Sequence, residues 1–434
     1  MQKAVFVLSF IVASRFLGLF IVLPVFSVYS ADLAGASELN IGVALGAYAI
    51  SQMIFQVPFG VLSDKIGRKT AMLLGLLIFI AGSIMCALAS DIWTMALGRL
   101  VQGAGAVGAV AVAMISDFTA ESTRGRAMMV MGMMIGASFA LALILSPVLS
   151  AEWGFASLFY LSAALSAACI VLLYTLVPSE HKTVKVAGAA GFARIFAQKD
   201  LMIMNVTNFA QKMFINSIFM VIPFVLMKKF GMPREELWNV YLYSMIFGFL
   251  AMGFAGFWGD KYRIAKGLLI VGAGVFIVAF LNLAMTENRA VFLAGVAVFF
   301  VGFNLHEPIL QSTASRFALS HQRGAALGVF SAFGYAGSFA GGALGGLLLA
   351  KVGFTALAFV YCAICAGWIW LLLRLTNPNV YSNLNVGHVR PNLPPNSNLK
   401  KLGIFDIFNN GEEWIIKFDS RVTDALTLKK IIQI

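Results

Sequence analysis

Charge is what this sequence has least of. Only 12% of its 434 residues are Asp, Glu, Lys or Arg, 60% are hydrophobic and the mean hydropathy is +0.88, a composition that excludes an ordinary soluble domain. Acid is scarcer than base: 19 Asp and Glu stand against 31 Lys and Arg, for a formal net charge of +12. The basic surplus does not mark a nucleic-acid surface, because it is dispersed over alternate short loops instead of collecting in one patch. There are only four cysteines, Cys86, Cys169, Cys362 and Cys365, each inside an apolar run. Cys362 and Cys365 lie one helical turn apart with no second pair, which argues for small packing residues and against a metal or redox centre. A phosphate-cradling glycine motif is also lacking, so direct nucleotide drive, an enzyme and a bound cofactor are not expected.

Long apolar runs are what the sequence has instead. Twelve can be counted, at 4–29, 41–62, 70–89, 92–115, 127–149, 155–177, 201–227, 237–258, 265–285, 290–312, 325–350 and 355–376. Each is long enough to cross a bilayer, since roughly 20 helical residues span the hydrocarbon and a helix satisfies its own backbone there. The first run is too long for a signal peptide and contains Arg15 and Pro24, so it is read as a mature span. Lys65, Arg68, Lys69, Arg124, Arg126, Lys182, Lys185, Lys261, Lys266, Arg316 and Arg323 fall in loops on one side, which places that side and both termini in the cytoplasm. Lys228, Lys229 and Arg234 are the exception, partly balanced by Glu235 and Glu236.

Two sets of spacing repeat. Gly60 with Asp64-Lys65 recurs as Gly256 with Asp260-Lys261, 196 residues on, and Arg124-Gly125 recurs as Arg323-Gly324, 199 residues on. This implies two six-helix halves in parallel orientation, 1–177 and 201–376, with 178–200 as a polar linker and the binding site between the halves. Residues 377–398 are rich in Asn and Pro and read as a second linker. The rest of 377–434 alternates like strands at 404–408 and 414–418 around Asn409-Asn410-Gly411, with a possible strand at 381–386 and an amphipathic helix at 424–434 capped by Thr423.

The turn Gly60-Val61-Leu62-Ser63-Asp64-Lys65-Ile66-Gly67-Arg68-Lys69 joins the second and third runs. It resembles the major facilitator superfamily signature G-x-L-x-D-x-x-G-R-K at every fixed position. Arg99-Leu100-Val101-Gln102-Gly103-Ala104-Gly105-Ala106 is similar to that superfamily's R-x-x-Q-G-x-G-A motif, linked there to proton coupling. The stretch 415–423 and the first run resemble the YajR-type facilitators, whose small cytoplasmic tail is ferredoxin-like. The fold implied is an all-α membrane protein of twelve transmembrane helices plus a small α+β ferredoxin-like tail. In the superfamily's antiporters the fifth span ends in Gly-Pro; this chain has Ser146-Pro147 instead.

Intramembrane charge is costly and marks function by default. Candidates for proton coupling are Arg15, Arg99, Lys212, His306 and Glu307; the last precedes Pro308, which frees a carbonyl one turn back. Glu307 serves either as a proton carrier or as static helix glue with Lys212 or Arg15. The conformational switch is assigned to Gly60, Asp64, Gly67, Arg68, Lys69 and Asp117. Phe16, Phe20, Phe209, Phe214 and Phe303 are candidate cavity rings. Gly132 and Gly136, and Gly337, Gly341 and Gly345, form small-residue stripes for close helix contact. The resemblance implies a monomer of the bacterial inner membrane that exports small hydrophobic or cationic compounds against the proton gradient. A sugar or metabolite symporter, or a membrane sensor read out by the tail, are the alternatives.

Overall fold

The computed structural model describes residues 2–119, 121–178, 192–262, 264–319, 323–387, 399, 402–409 and 414–431. The chain is helical up to residue 373: α1 (Gln2–Phe20), α2 (Phe26–Ser30), α3 (Glu38–Ile66), α4 (Arg68–Ala87), α5 (Ile92–Ala104), α6 (Gly108–Asp117), α7 (Glu121–Trp153), α8 (Ala156–Leu176), α9 (Phe192–Ala197), α10 (Lys199–Phe230), α11 (Leu237–Lys261), α12 (Ala265–Met285), α13 (Arg289–Phe317) and α14 (Arg323–Leu373). Among the described residues ten stretches are long and apolar enough to cross a membrane, and Ala4–Phe20 is a shorter apolar helix. α14 holds two of the apolar runs, for Gly353 within it has φ 77°, a left-handed conformation that only glycine adopts without strain and that reverses the chain.

Two runs are broken where chemistry needs it. The first is interrupted between Phe20 and Phe26, around Pro24, which has no N–H to continue a helix. The fourth opens at residues 105–107, between α5 and α6, leaving backbone carbonyls inside the bundle that must find donors.

The N-terminal helices α1–α8 and the C-terminal helices α10–α14 meet along α3 and the first part of α14. At the end away from the Gly60–Lys69 turn the contact is backbone on backbone: a Cβ added to Gly42 would lie 2.1 Å from the Gly342 carbonyl oxygen, and one on Gly346 2.1 Å from that of Glu38. Toward the turn the two sets part. α3 is buried over Ala44–Ala49, whereas Ile54, Phe55, Val57 and Val61 are exposed, and nothing lies within 4 Å of a Cβ added to Gly328. The α3–α14 contact is therefore tight at one end, the shut end, and absent toward the signature end. Of the two glycine stripes, Gly337, Gly341 and Gly345 lie against Phe209, Met213 and Ser217 of α10, as the spacing suggests. Gly132 and Gly136 face open space and make no close helix contact.

The tail is a three-stranded antiparallel sheet, β1 (Tyr381–Asn385), β2 (Ile404–Asn409) and β3 (Trp414–Asp419) in the order β1-β3-β2, followed by α15 (Ala425–Ile431). Its small core is Leu384, Val386, Ile404, Ile416, Phe418 and Leu428. β1 and β2 both run antiparallel to β3, which lies between them, so β1 and β2 are parallel to one another, as the split crossover of a ferredoxin-like sheet requires; a fourth strand is not found among the described residues. The hairpin tip at 410–413 lies outside them. The α15 cap is Asp424, which accepts from Thr427 N at 2.6 Å, and not Thr423, which donates to the Leu402 carbonyl.

Lys417, buried at 5% exposure, ties the tail to the bundle: its ammonium donates to the Arg316 carbonyl and, at 3.2 Å, to that of Ala318, the last carbonyls of α13. A cation there matches the negative end of the helix. Lys417→Met should loosen this docking by about 1.5–3 kcal/mol, the worth of a charged hydrogen bond. Limited proteolysis should then cut the tail faster while the membrane helices keep their thermal stability; unchanged cutting would mean that Lys417 does not hold the tail.

Candidate functional site

The signature turn is a knot of short polar contacts. Gly67, at φ 96°, lets α3 end and α4 begin within one residue. Arg68 then sits between two acids, Asp64 at 2.5 Å and Asp117 at 3.1 Å, and also donates to Ser63 Oγ at 2.6 Å. Lys69 donates to the Val177 carbonyl past the end of α8 at 2.5 Å. Lys266 donates likewise to Leu373 O of α14 at 2.9 Å, 197 residues after Lys69, so the second copy keeps the lysine's role although Gly-Arg-Lys is missing from it. All these partners lie within one set of helices. Gly60 meets only Ala109 of its own set.

At the shut end the odd basic residues find their use. Arg234 pairs with both oxygens of Asp32, at 2.6 and 3.1 Å, and Lys228 with Glu38 at 3.1 Å, each across the two sets. Lys229 pairs with Glu287, and Arg289 with Glu236. The Arg234 hydrogen bond, aided by its charge, holds Asp32 below the ordinary value of 3.8, with slight burial opposing. A carboxyl lowered in this way stabilises the shut end above its ordinary pKa and loses that contribution as pH falls through the lowered value. Acidifying that side below about 3.8 should weaken Cys cross-linking between the sets at this end; Asp32→Asn should reduce the pH dependence, and Asp32→Asn with Glu38→Gln should abolish it. An acid response that persists unchanged in the double variant would assign it elsewhere.

In the middle of the N-terminal set, Arg15 is 1% exposed and donates to Tyr48 Oη at 2.8 Å, Gln52 Oε1 at 2.9 Å and the Gly105 carbonyl at 2.8 Å. The opening between α5 and α6 supplies that last acceptor. Arg99, equally buried, donates to Gln102 Oε1 at 2.6 Å, and its guanidinium lies 5.0 Å from the Tyr48 ring centroid. Gln102 in turn donates to Ser83 Oγ at 2.9 Å. Neither arginine has a carboxylate within 4.0 Å among the described residues.

In the C-terminal set, Lys212 of α10 forms an ion pair with Glu307 of α13, and Gln211 Nε2 lies 3.4 Å from the same carboxylate oxygen. Unlike the arginines, the pair is accessible, with side chains 29% and 31% exposed. Lys212 stands 197 residues after Arg15, the same offset as the two capping lysines. A row of rings joins the two sets: Phe16–Phe20 at 5.4 Å, Phe20–Phe139 at 5.0 Å and Phe139–Phe303 at 6.3 Å, with the Lys212 ammonium 5.2 Å from the Phe303 centroid.

Two candidates lie elsewhere. His306 is fully buried, with Nε2 2.8 Å from Leu269 O and its ring against Phe276 and Trp368; the helix turns it from Glu307 toward α12. Phe214 packs on Phe276, Phe280 and Tyr361 in the core and lines no open space. Phe209 is partly buried, beside Gly337. Tyr48, Gln52, Gln211 and Phe139 are missing from the sequence reading. Gln52 and Gln56, four apart in a span and hydrogen-bonded at 2.8 Å, were a visible polar signal; Phe139 gave none among 38 phenylalanines.

The family model described as Major Facilitator Superfamily matches residues 8–335 and, in a second overlapping match, 254–416. The inner membrane transport protein YajR of Escherichia coli (strain K12) is 32% identical over 444 aligned residues, covering 100% of this chain and 97% of that one. The class E tetracycline resistance protein of Escherichia coli is 28% identical, covering 86% of this chain and 92% of its own. Among solved structures the D-xylose–proton symporter superposes with a TM-score of 0.74 at 15% identity, over 87% of this chain and 98% of its own.

Proposed function

The chain belongs to the major facilitator superfamily, and on that premise we propose that it is a proton-coupled secondary transporter, in which two six-helix halves rock about a central site. One observation carries this: among the described residues Glu307 is the only acid in the middle of a spanning helix, it is matched by Lys212, and the pair is about a third exposed beside Phe303, whose ring lies 6.3 Å from Phe139 of the N-terminal set. An ionisable pair so placed can change protonation as access alternates. The proton gradient is then the driving force, and twelve spans carry the chain across the bilayer. The relative named as an inner membrane transport protein supports an inner-membrane location, and loop charge supports placing the signature end and both termini on the cytoplasmic side.

The tetracycline resistance relative supports drug-like, hydrophobic cargo and export in exchange for protons. The rings between Phe16 and Phe303 suit an apolar body. Co-movement of proton and cargo is the second reading, and one observation favours it over export of cations: the centre holds more cation than acid. The signature turn is the switch, with Asp64, Arg68 and Asp117 tied together when α3 and α14 are apart at the signature end. The tail, fixed to α13 through Lys417, is a regulatory attachment.

A proteoliposome loaded with a pH-sensitive dye tests the coupling. Cargo-dependent proton movement through the wild-type chain, absent from Glu307→Gln, supports it; movement unaffected by that substitution would sink the coupling role.

A further inference from the structure

We propose that the cargo is an organic anion: a flat apolar body lying along the half-buried rings of Phe16, Phe20 and Phe139, with one carboxylate- or sulfonate-like group on Lys212. The proposal rests on the reading of Lys212 and Glu307 as the coupling pair, and it gives that pair a substrate class.

Charge decides the class. Among the described residues with placed side chains, Arg15, Arg99 and Lys212 lie in the middle of spanning helices, against Glu307 alone. The other acids of the helical part, Asp32, Glu38, Asp64, Asp91, Asp117, Glu152, Asp200, Glu236 and Glu287, sit at helix ends or in turns. Glu307 neutralises Lys212. Arg15 and Arg99 spend their hydrogen bonds on neutral acceptors, a hydroxyl, two amides and a backbone carbonyl. The rings of Tyr48 and Phe79, within 5.0 to 6.0 Å, offset part of the cost. Two positive charges still stand unmatched in a low-dielectric interior. A cationic cargo would add a third and would find the one central acid already held by an ammonium. An anion adds no positive charge, and Lys212 can receive it.

Access decides where the anion sits. Arg15 and Arg99 are 1% exposed, so their field reaches the cargo but their donors do not. Lys212, about a third exposed beside Phe303, is the cation a ligand can touch. The anion displaces the Glu307 carboxylate from the ammonium, and Glu307, left without a cation, takes up a proton. One anion and one proton enter; the Lys212 ion pair is exchanged for another and Glu307 becomes neutral, so the charge of the site is unchanged. Anion and proton therefore cross in the same direction.

The test uses the full chain in phosphatidylcholine nanodiscs with three probes: 2-naphthalenesulfonate, neutral 2-naphthylmethanol and the tetraphenylphosphonium cation. The sulfonate should bind about tenfold or more tighter than either other probe, with uptake of about one proton per molecule in weak buffer. Lys212→Gln should lose that preference while keeping its affinity for naphthylmethanol, which shows the fold intact, and Lys212→Arg should restore it. Glu307→Gln should still bind the sulfonate, without proton uptake. Tighter binding of tetraphenylphosphonium, no sulfonate binding at millimolar concentration, or a preference unchanged in Lys212→Gln overturns the anion. Proton uptake that persists in Glu307→Gln overturns instead the coupling role of that acid and leaves the anion site standing.

Discussion

Glu307→Gln should bring cargo accumulation down to the passive level while the protein still folds and still binds. The amide keeps the shape of the side chain and its capacity to accept from Lys212 and Gln211, but it cannot exchange a proton. The pair is about a third exposed, so loss of its charge should change thermal stability little, by about 0–1 kcal/mol. The effect on accumulation is far larger, because a carrier with no titrating group couples to no proton gradient and can only equilibrate its cargo. Counterflow exchange at wild-type rate with accumulation lost, in vesicles with an imposed pH step, is the expected result. Accumulation that survives with its pH dependence intact would remove Glu307 from the mechanism. Accumulation lost together with a drop of many degrees in thermal stability would make it helix glue.

Much of this was legible in the chain. Apolar run length sets the helices, and the turn from Gly60 to Lys69 is conspicuous for its density of fixed residues; that Arg68 sits between Asp64, four residues before it, and Asp117, 49 residues on, is what the structure adds. Glu307 and Lys212 stand out because a charge among apolar neighbours is conspicuous in one dimension. What faces such a charge is not. The acceptors of Arg15 come from α3 and from a backbone carbonyl exposed by the opening at residues 105–107, contacts 33 to 90 residues apart in sequence. His306 failed as a candidate for the opposite reason: it is Glu307's neighbour in sequence, but adjacent helical residues point about 100° apart. Lys228 and Arg234 looked like violations of loop-charge asymmetry until the structure set Glu38 and Asp32 opposite them. The glycine stripes were equally regular on paper, and only the packing of α14 on α10 distinguishes the one that is used.

Glycine at 42 decides whether the shut end can shut at all. Its α carbon faces Gly342 across α3 and α14, and a side chain there would meet backbone: the Gly342 carbonyl oxygen at 2.1 Å and its carbon at 3.0 Å. Backbone in the middle of two packed helices cannot give way locally, so Gly42→Val must push the helices apart, and with them the two sets at this end. Each set keeps its own core, so the protein should fold, but the state that opens at the signature end should become inaccessible and transport should stop. A Glu38→Cys, Lys228→Cys pair bridged by a short bifunctional thiol reagent reports the closure, since the native side chains meet at 3.1 Å when the end is shut and the reagent replaces their length. Cross-linking should be efficient in the parent and lost in Gly42→Val. Gly367→Ala is the control, for nothing lies within 4 Å of an added Cβ there, and helix propensity makes that change neutral or stabilising by up to about 1 kcal/mol. Efficient cross-linking and normal transport in Gly42→Val would mean that the halves do not meet as closely as the α3–α14 contact requires.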